Sequence, residues 1–204
     1  MKFKLAKYFS LNLDYWIINI SYVLLLGSCY GCQTMLITYL SYTGANANMN
    51  GVVRSVVSAI GGPGAGILVG LIGKRPMLLL ICYIIAILSF LALLWYDIPS
   101  YIPVFFIGLF DGCAASLGMS LFASVVPVRQ LNNAYAIAGA SLNGIQFIVS
   151  PISGALNVIN WPVKAAGMML FFVFVLLIGF VDTLMLVIRD KRFYRGMLSR
   201  KPEK

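Results

Sequence analysis

The 204 residues are 61% hydrophobic and only 10% charged, whereas a soluble domain carries roughly a quarter of its residues charged. That excludes a soluble fold of this length. A membrane-crossing helix takes about 20 apolar residues, so six of them with short connections consume most of the chain, and the net charge of +9 follows membrane orientation rather than a nucleic-acid face, because the basic residues lie between the apolar runs or at the ends.

In chain order, the basic start from Met1 to Lys7 imitates the head of a signal peptide. The apolar stretch behind it is too long for one and shows no small-residue cleavage pattern before Tyr39, so it reads as a retained first helix over 15–40. An uncharged, Asn-rich loop over 43–50 follows. The second span, 51–73, ends at Lys74-Arg75-Pro76; the third, 77–96, carries no charge; residues 97–100 turn the chain. The fourth, 101–126, is rich in Gly and Ala and closes at 127–133. The fifth, 134–158, contains Pro151, and the last, 163–188, meets a basic cytoplasmic tail over 189–204. Runs this long without alternation exclude strands, so the expected fold is all-α: one polytopic bundle of six helices spanning residues 1–204.

Basic residues give the orientation. Lys2, Lys4, Lys7, Lys74, Arg75, Arg129, Arg189, Lys191, Arg192, Arg195, Arg200, Lys201 and Lys204 fall on one side of a six-span chain, and Arg54 and Lys164 on the other. The bias places both termini in the cytoplasm; the plasma membrane is the favoured host. All four cysteines lie in apolar runs. Cys29-Tyr30-Gly31-Cys32 has the spacing of a thiol pair, but with no histidine and no second such pair the reading is small buried side chains, with no metal and no cofactor.

Gly62, Gly66 and Gly70 recur every four residues and share a helix face, which permits close backbone approach. Pro63 lies beside them, and Pro151 has Gly154 three residues on. Helices two and five correspond if the chain is two triplets, and a proline in each removes a hydrogen bond and permits a bend. Such paired interruptions point to an inverted-repeat transporter, although glycine and proline are also ordinary in membrane helices.

Three ionisable residues fall within spans. Asp111, ten residues into helix four, is about 15 Å deep; it can face a water-filled path, bind a cation, take up a proton, or fix helix packing. Asp182, six residues before Ile188, is shallow enough to pair with a basic loop or tail residue in a gate or structural role. Arg54, one turn inside helix two, can snorkel to water or pair with Asp111 as an outer gate. Asn19, Gln33 and Thr34 on helix one and Asn143 and Gln146 on helix five must find partners away from lipid, either each other across helices or a solute.

The junction Gly66-Ile-Leu-Val-Gly70-Leu-Ile-Gly73-Lys74-Arg75-Pro76 resembles the loop motif of the major facilitator superfamily. Gly66, Gly73, Lys74 and Arg75 match, while Gly70 and Leu71 stand in place of the motif's Asp and Arg, which normally help lock the cytoplasmic gate. Ser150-Pro151-Ile-Ser-Gly154-Ala155 is similar to a relaxed form of the motif on the fifth helix of that family. Gly108 stands where many members have an intramembrane arginine, with Gly112 matching the glycine four residues on, and Arg129 before Asn132-Asn133-Ala134-Tyr135 resembles the basic turn between helices four and five. The resemblance covers nearly the whole chain and implies one six-helix half, more like the carboxyl-terminal one, of a machine ordinarily built from two. The implied function is secondary active or facilitative transport of a small solute, as a symporter or uniporter, with or without a coupling ion. It is not enzymatic. A single half would expose its polar path to lipid, so the expectation is a second copy, a complementary half, or a truncated piece of a longer product. Helices one, two, four and five would face the cavity and three and six the bilayer. The rival reading is a non-transporting scaffold or accessory subunit that kept the fold.

Overall fold

The computed structural model describes residues 11–95, 98–158, 166–192 and 198. They form six long helices, α1 (Leu13–Tyr42), α2 (Ala47–Ile72), α3 (Arg75–Ala92), α4 (Tyr101–Val125), α5 (Leu131–Ala155) and α6 (Ala166–Arg192), with short 3-10 turns on either side of α5. Each of the six is long and apolar enough to cross a membrane, and no strand occurs among the described residues. The expectations placed on Lys2, Lys4, Lys7, Lys164, Arg195, Arg200, Lys201 and Lys204, and on the side chain of Thr34, lie outside the described residues.

Most boundaries shift by a few residues from the expected ones, and two of the shifts have local reasons. Helix α2 starts at Ala47 rather than residue 51, because Asn46 caps it: its side-chain oxygen accepts from the Met49 amide at 3.1 Å, and Asn50 donates to the Asn46 carbonyl at 2.9 Å and to Ser100 Oγ at 3.1 Å. Much of the Asn-rich stretch is therefore a cap and a first turn, not a loop. Helix α6 runs through Arg192, so the basic segment opens inside it. There Arg189 donates to Asp14, in the first turn of α1, at 2.9 Å. Each charge sits at the helix end that the backbone dipole favours.

The α2–α3 turn is as tight as its sequence implies. Gly73 (φ 72°) ends α2, Lys74 follows in the left-handed region (φ 40°, ψ 40°), and Pro76 occupies the first turn of α3. Only a backbone without a Cβ enters such a conformation freely, which accounts for the glycine.

Packing follows a repeat. Helix α2 packs most extensively on α4, as α5 does on α1; α3 packs on α4 as α6 does on α1; and α3 meets α6 while α1 meets α4. Shifting every helix by three maps this pattern onto itself, so the bundle is two three-helix units. Glycines permit both of the first-named crossings. On α4, a Cβ at Gly108 would lie 2.5 Å from the Arg54 carbonyl oxygen and one at Gly112 would overlap that of Ser58; opposite them, a Cβ at Gly61 would lie 2.7 Å from the Leu109 oxygen. On α1, Gly27 and Gly31 abut Ile145 and Val149 of α5.

This corrects the glycine stripe read from the sequence. Gly66 and Gly70 have nothing within 4 Å of a Cβ position, and of that set only Gly62 touches a neighbour, Ser116. Helix α2 buries a face one residue away, Asn50, Arg54, Gly61, Ala65 and Val69. Pro63 and Pro151 lie inside α2 and α5. Matching the crossings residue for residue sets Pro63 against Gly154 and Pro151 against Ile60, so the two prolines are offset by just under one turn.

Candidate functional site

The charge in the middle of the bundle is paired. The guanidinium of Arg54 on α2 donates to Asp111 Oδ2 on α4 at 3.0 Å and to the Cys29 carbonyl of α1 at 3.0 Å, and both side chains are 6% exposed. Three helices are thus tied at one point. The close approach at Gly108 and Gly112 brings the two backbones near enough for it: Arg54's own carbonyl lies over Gly108, three residues before Asp111. Arg54 therefore does not snorkel to water. Since α2 begins at Ala47, Arg54 lies seven residues in, two turns rather than one, about 10 Å from the helix start.

Charge cancellation is what makes the arrangement tenable. An isolated buried charge is expensive, and a pair repays that cost only with good geometry and further hydrogen bonds. Here the geometry is incomplete: Arg54 Nε and Asp111 Oδ1 are both buried without a partner. The pair holds by one contact where a planar guanidinium and a carboxylate can make two.

A groove of about 500 Å³ runs between α1 and α2 from the loop end toward this pair. Its wall includes Arg54 with Gln33, Asn48 and Ser55, set among Leu36, Ile37 and Val52. Gln33 is exposed. The sequence-predicted residues Arg54, Asp111 and Gln33 are thus gathered in one region.

The others are not. Asn19 donates to Ser141 on α5 at 3.3 Å, and its own side-chain oxygen is buried without a partner. Asn143 is exposed and Gln146 half-buried on α5, outside the groove. Among the described residues Asp182 pairs with no basic one: it accepts from the Ser21 hydroxyl of α1 at 2.5 Å. Thr183 donates to the same hydroxyl at 3.0 Å, and Tyr83 of α3 to the Ser21 carbonyl at 2.6 Å. Asp182 is thus tied to α1, and the basic tail residues beyond Arg192 that are expected to pair with it lie outside the described residues. Lys74 and Arg129 are exposed at turns and Arg75 half-buried at the start of α3. Sequence reasoning missed Gly61, Ser21 and Tyr83; the only signal for the α4 glycines was their place in the resemblance. The four cysteines are free, and Cys113 donates to the Gly61 carbonyl.

Six apolar spanning helices in two repeated triplets, with a charge pair held in the middle, define an integral, multi-pass membrane protein. The chain belongs to the Major Facilitator Superfamily, whose family model matches residues 8–203. Its function is accordingly of the transporter type, the members of that family being transporters and not enzymes. No curated protein matches the chain.

Proposed function

We propose that the chain is half of a secondary active or facilitative transporter for a small solute, completed by a second copy or a complementary half, with both termini cytoplasmic. The buried Arg54–Asp111 pair at the base of the α1–α2 groove is the observation that supports it. Intramembrane charges are costly and mark solute or ion paths, and a pair held by a single contact keeps a donor and an acceptor in reserve for a rearranged state. Asp111 recognises charge or couples to an ion by exchanging Arg54 for it. Gln33, with Asn143 and Gln146 on the exposed face of α5, supplies polar contacts to the solute. The broad exposed faces of α2 and α5 are where the second half would close the path, while α3 and α6 turn toward lipid.

A second reading has an observation of its own. The pair joins three helices, which is also what a packing device does in a scaffold without transport. A single Asp111→Asn confuses the two, because it strands Arg54 as an uncompensated buried charge. The paired neutral variant, Arg54→Gln with Asp111→Asn, keeps hydrogen-bonding groups in place without that charge. Reconstituted with its partner, the transporter predicts normal abundance and lost or uncoupled uptake. The scaffold predicts altered assembly with no uptake to lose. A folded, partnered protein that moves no solute under any gradient would sink the transport proposal.

A further inference from the structure

A second cleft lies on the opposite side of the α2–α4 crossing and has nothing to do with the ion pair. Helices α2 and α3 diverge from the Gly73–Lys74 turn, and α4 floors the gap between them, leaving a crevice of about 460 Å³. Its walls are almost wholly apolar: Gly64 and Ile67 from α2, Leu78 and Ile81 from α3, Leu109 and Phe110 from α4. It is deep where α2 contributes only Gly61, Gly64 and Ala65. No solute with polar groups would find partners there. At its lower end, about one turn from Leu78 and nearly two from Leu68, stand Lys74 and Arg75. Lys74 is exposed, and the Nε of Arg75 is buried without an acceptor. Helices α2 and α3 carry no carboxylate at all.

We infer that this crevice is a binding site for an anionic phospholipid, with one acyl chain between α2 and α3 and the headgroup phosphate against Lys74 and Arg75. Charge and polarity are both complementary. The crevice offers a dry slot running along the helices and opening to the membrane, and the turn offers two cations with an unsatisfied N–H. A basic cluster at a helix end attracts anionic headgroups, each Lys or Arg contributing about fivefold in affinity. The slot turns that general attraction into a site, because the chain below the headgroup then has a fixed place. A second copy of the protein is a poorer occupant, since it would have to bring a carboxylate to Lys74 and Arg75 at the membrane surface. The inference is independent of the transport proposal.

The test uses the purified chain, with its partner where it has one, in mild detergent. Phosphatidylglycerol and phosphatidylcholine of identical chains are titrated in separately and bound lipid is counted by native mass spectrometry. Gly64 lines the slot and has nothing within 4 Å of a Cβ position, so a leucine there starts without a clash and extends into the slot; Gly66→Leu, equally open at Cβ but outside the slot, is the control. The expected result is tighter phosphatidylglycerol binding to the wild type, a loss of at least tenfold in Gly64→Leu, and no change in Gly66→Leu. Lys74→Gln with Arg75→Gln reduces the preference for phosphatidylglycerol by up to about 25-fold. Equal binding of the two lipids by the wild type overturns the inference. So does a Gly64→Leu protein that retains lipid, or one whose only change is in oligomeric state, which would assign the slot to a second copy.

Discussion

The α2–α4 and α1–α5 crossings occupy equivalent places in the two repeats, yet they are built differently. On α1, Gly27 and Gly31 make room for side chains, Ile145 and Val149, which can adjust; on α4, Gly108 and Gly112 make room for backbone, the carbonyls of Arg54 and Ser58, which cannot. Only the second crossing carries charge. The same scaffold thus holds one compliant joint and one rigid joint, and the rigid one is where Arg54 and Asp111 are kept in register. The sharpest way to break this comparison is to remove one charge. Arg54→Ala or Asp111→Ala is expected to lower stability by about 3–5 kcal/mol, since the remaining partner stays buried and unpaired. Thermal unfolding in detergent should show most of that loss recovered in the paired neutral variant. If either single alanine unfolds like the wild type, the joint does not depend on its charge.

Next in size is the backbone contact itself. Gly112→Ala puts a methyl into the Ser58 carbonyl and within 2.9 Å of the Gly62 nitrogen, and no rotamer relieves it. A loss at or above about 3 kcal/mol is expected. No substitution of a single opposing side chain should rescue it. Gly27→Ala on the other repeat meets only the Ile145 methyl, so about 1–2 kcal/mol is expected. Combined with Ile145→Ala, the loss should be smaller than the sum of the two singles. That coupling, measured as a double-mutant cycle, should be present at Gly27 and absent for Ser58→Ala at Gly112. Equal rescue at both would show the two joints to be alike.

How much of this was legible beforehand differs between fold and site. Six spans, their order and the tight Lys74 turn could be read, because lipid admits so few alternatives for a long apolar run. The depth of Arg54 could not, because it is counted from a helix start that Asn46 moved by four residues. Nor could the glycine face: α2 has glycines at 51, 61, 62, 64, 66 and 70, so several stripes fit, and which one packs is decided by α4. The Arg54–Asp111 distance and the Ser21–Asp182 bond join residues 57 and 161 positions apart. Such pairings depend on how the triplets dock, which no single helix records.

Asp182 gives the smallest effect and the closest contrast with Asp111. Both are carboxylates inside spans on the second triplet, but Asp182 is half-buried and accepts from a neutral hydroxyl, so among the described residues its charge has no cationic partner. Asp182→Asn keeps an oxygen that can accept the Ser21 proton, and it strands no partner. The expected cost is under about 1 kcal/mol, within the net worth of one hydrogen bond. Ser21→Ala should cost more than Asp182→Asn, because it removes the donor to Asp182 outright and one of the two acceptors of Thr183, which keeps the Gly179 carbonyl at 2.9 Å. Comparing the unfolding of Asp182→Asn with that of Asp111→Asn therefore isolates what the charge does. A small loss for the first and a several-fold larger one for the second means that the carboxylate at 111 is kept for its charge and the one at 182 for its oxygen.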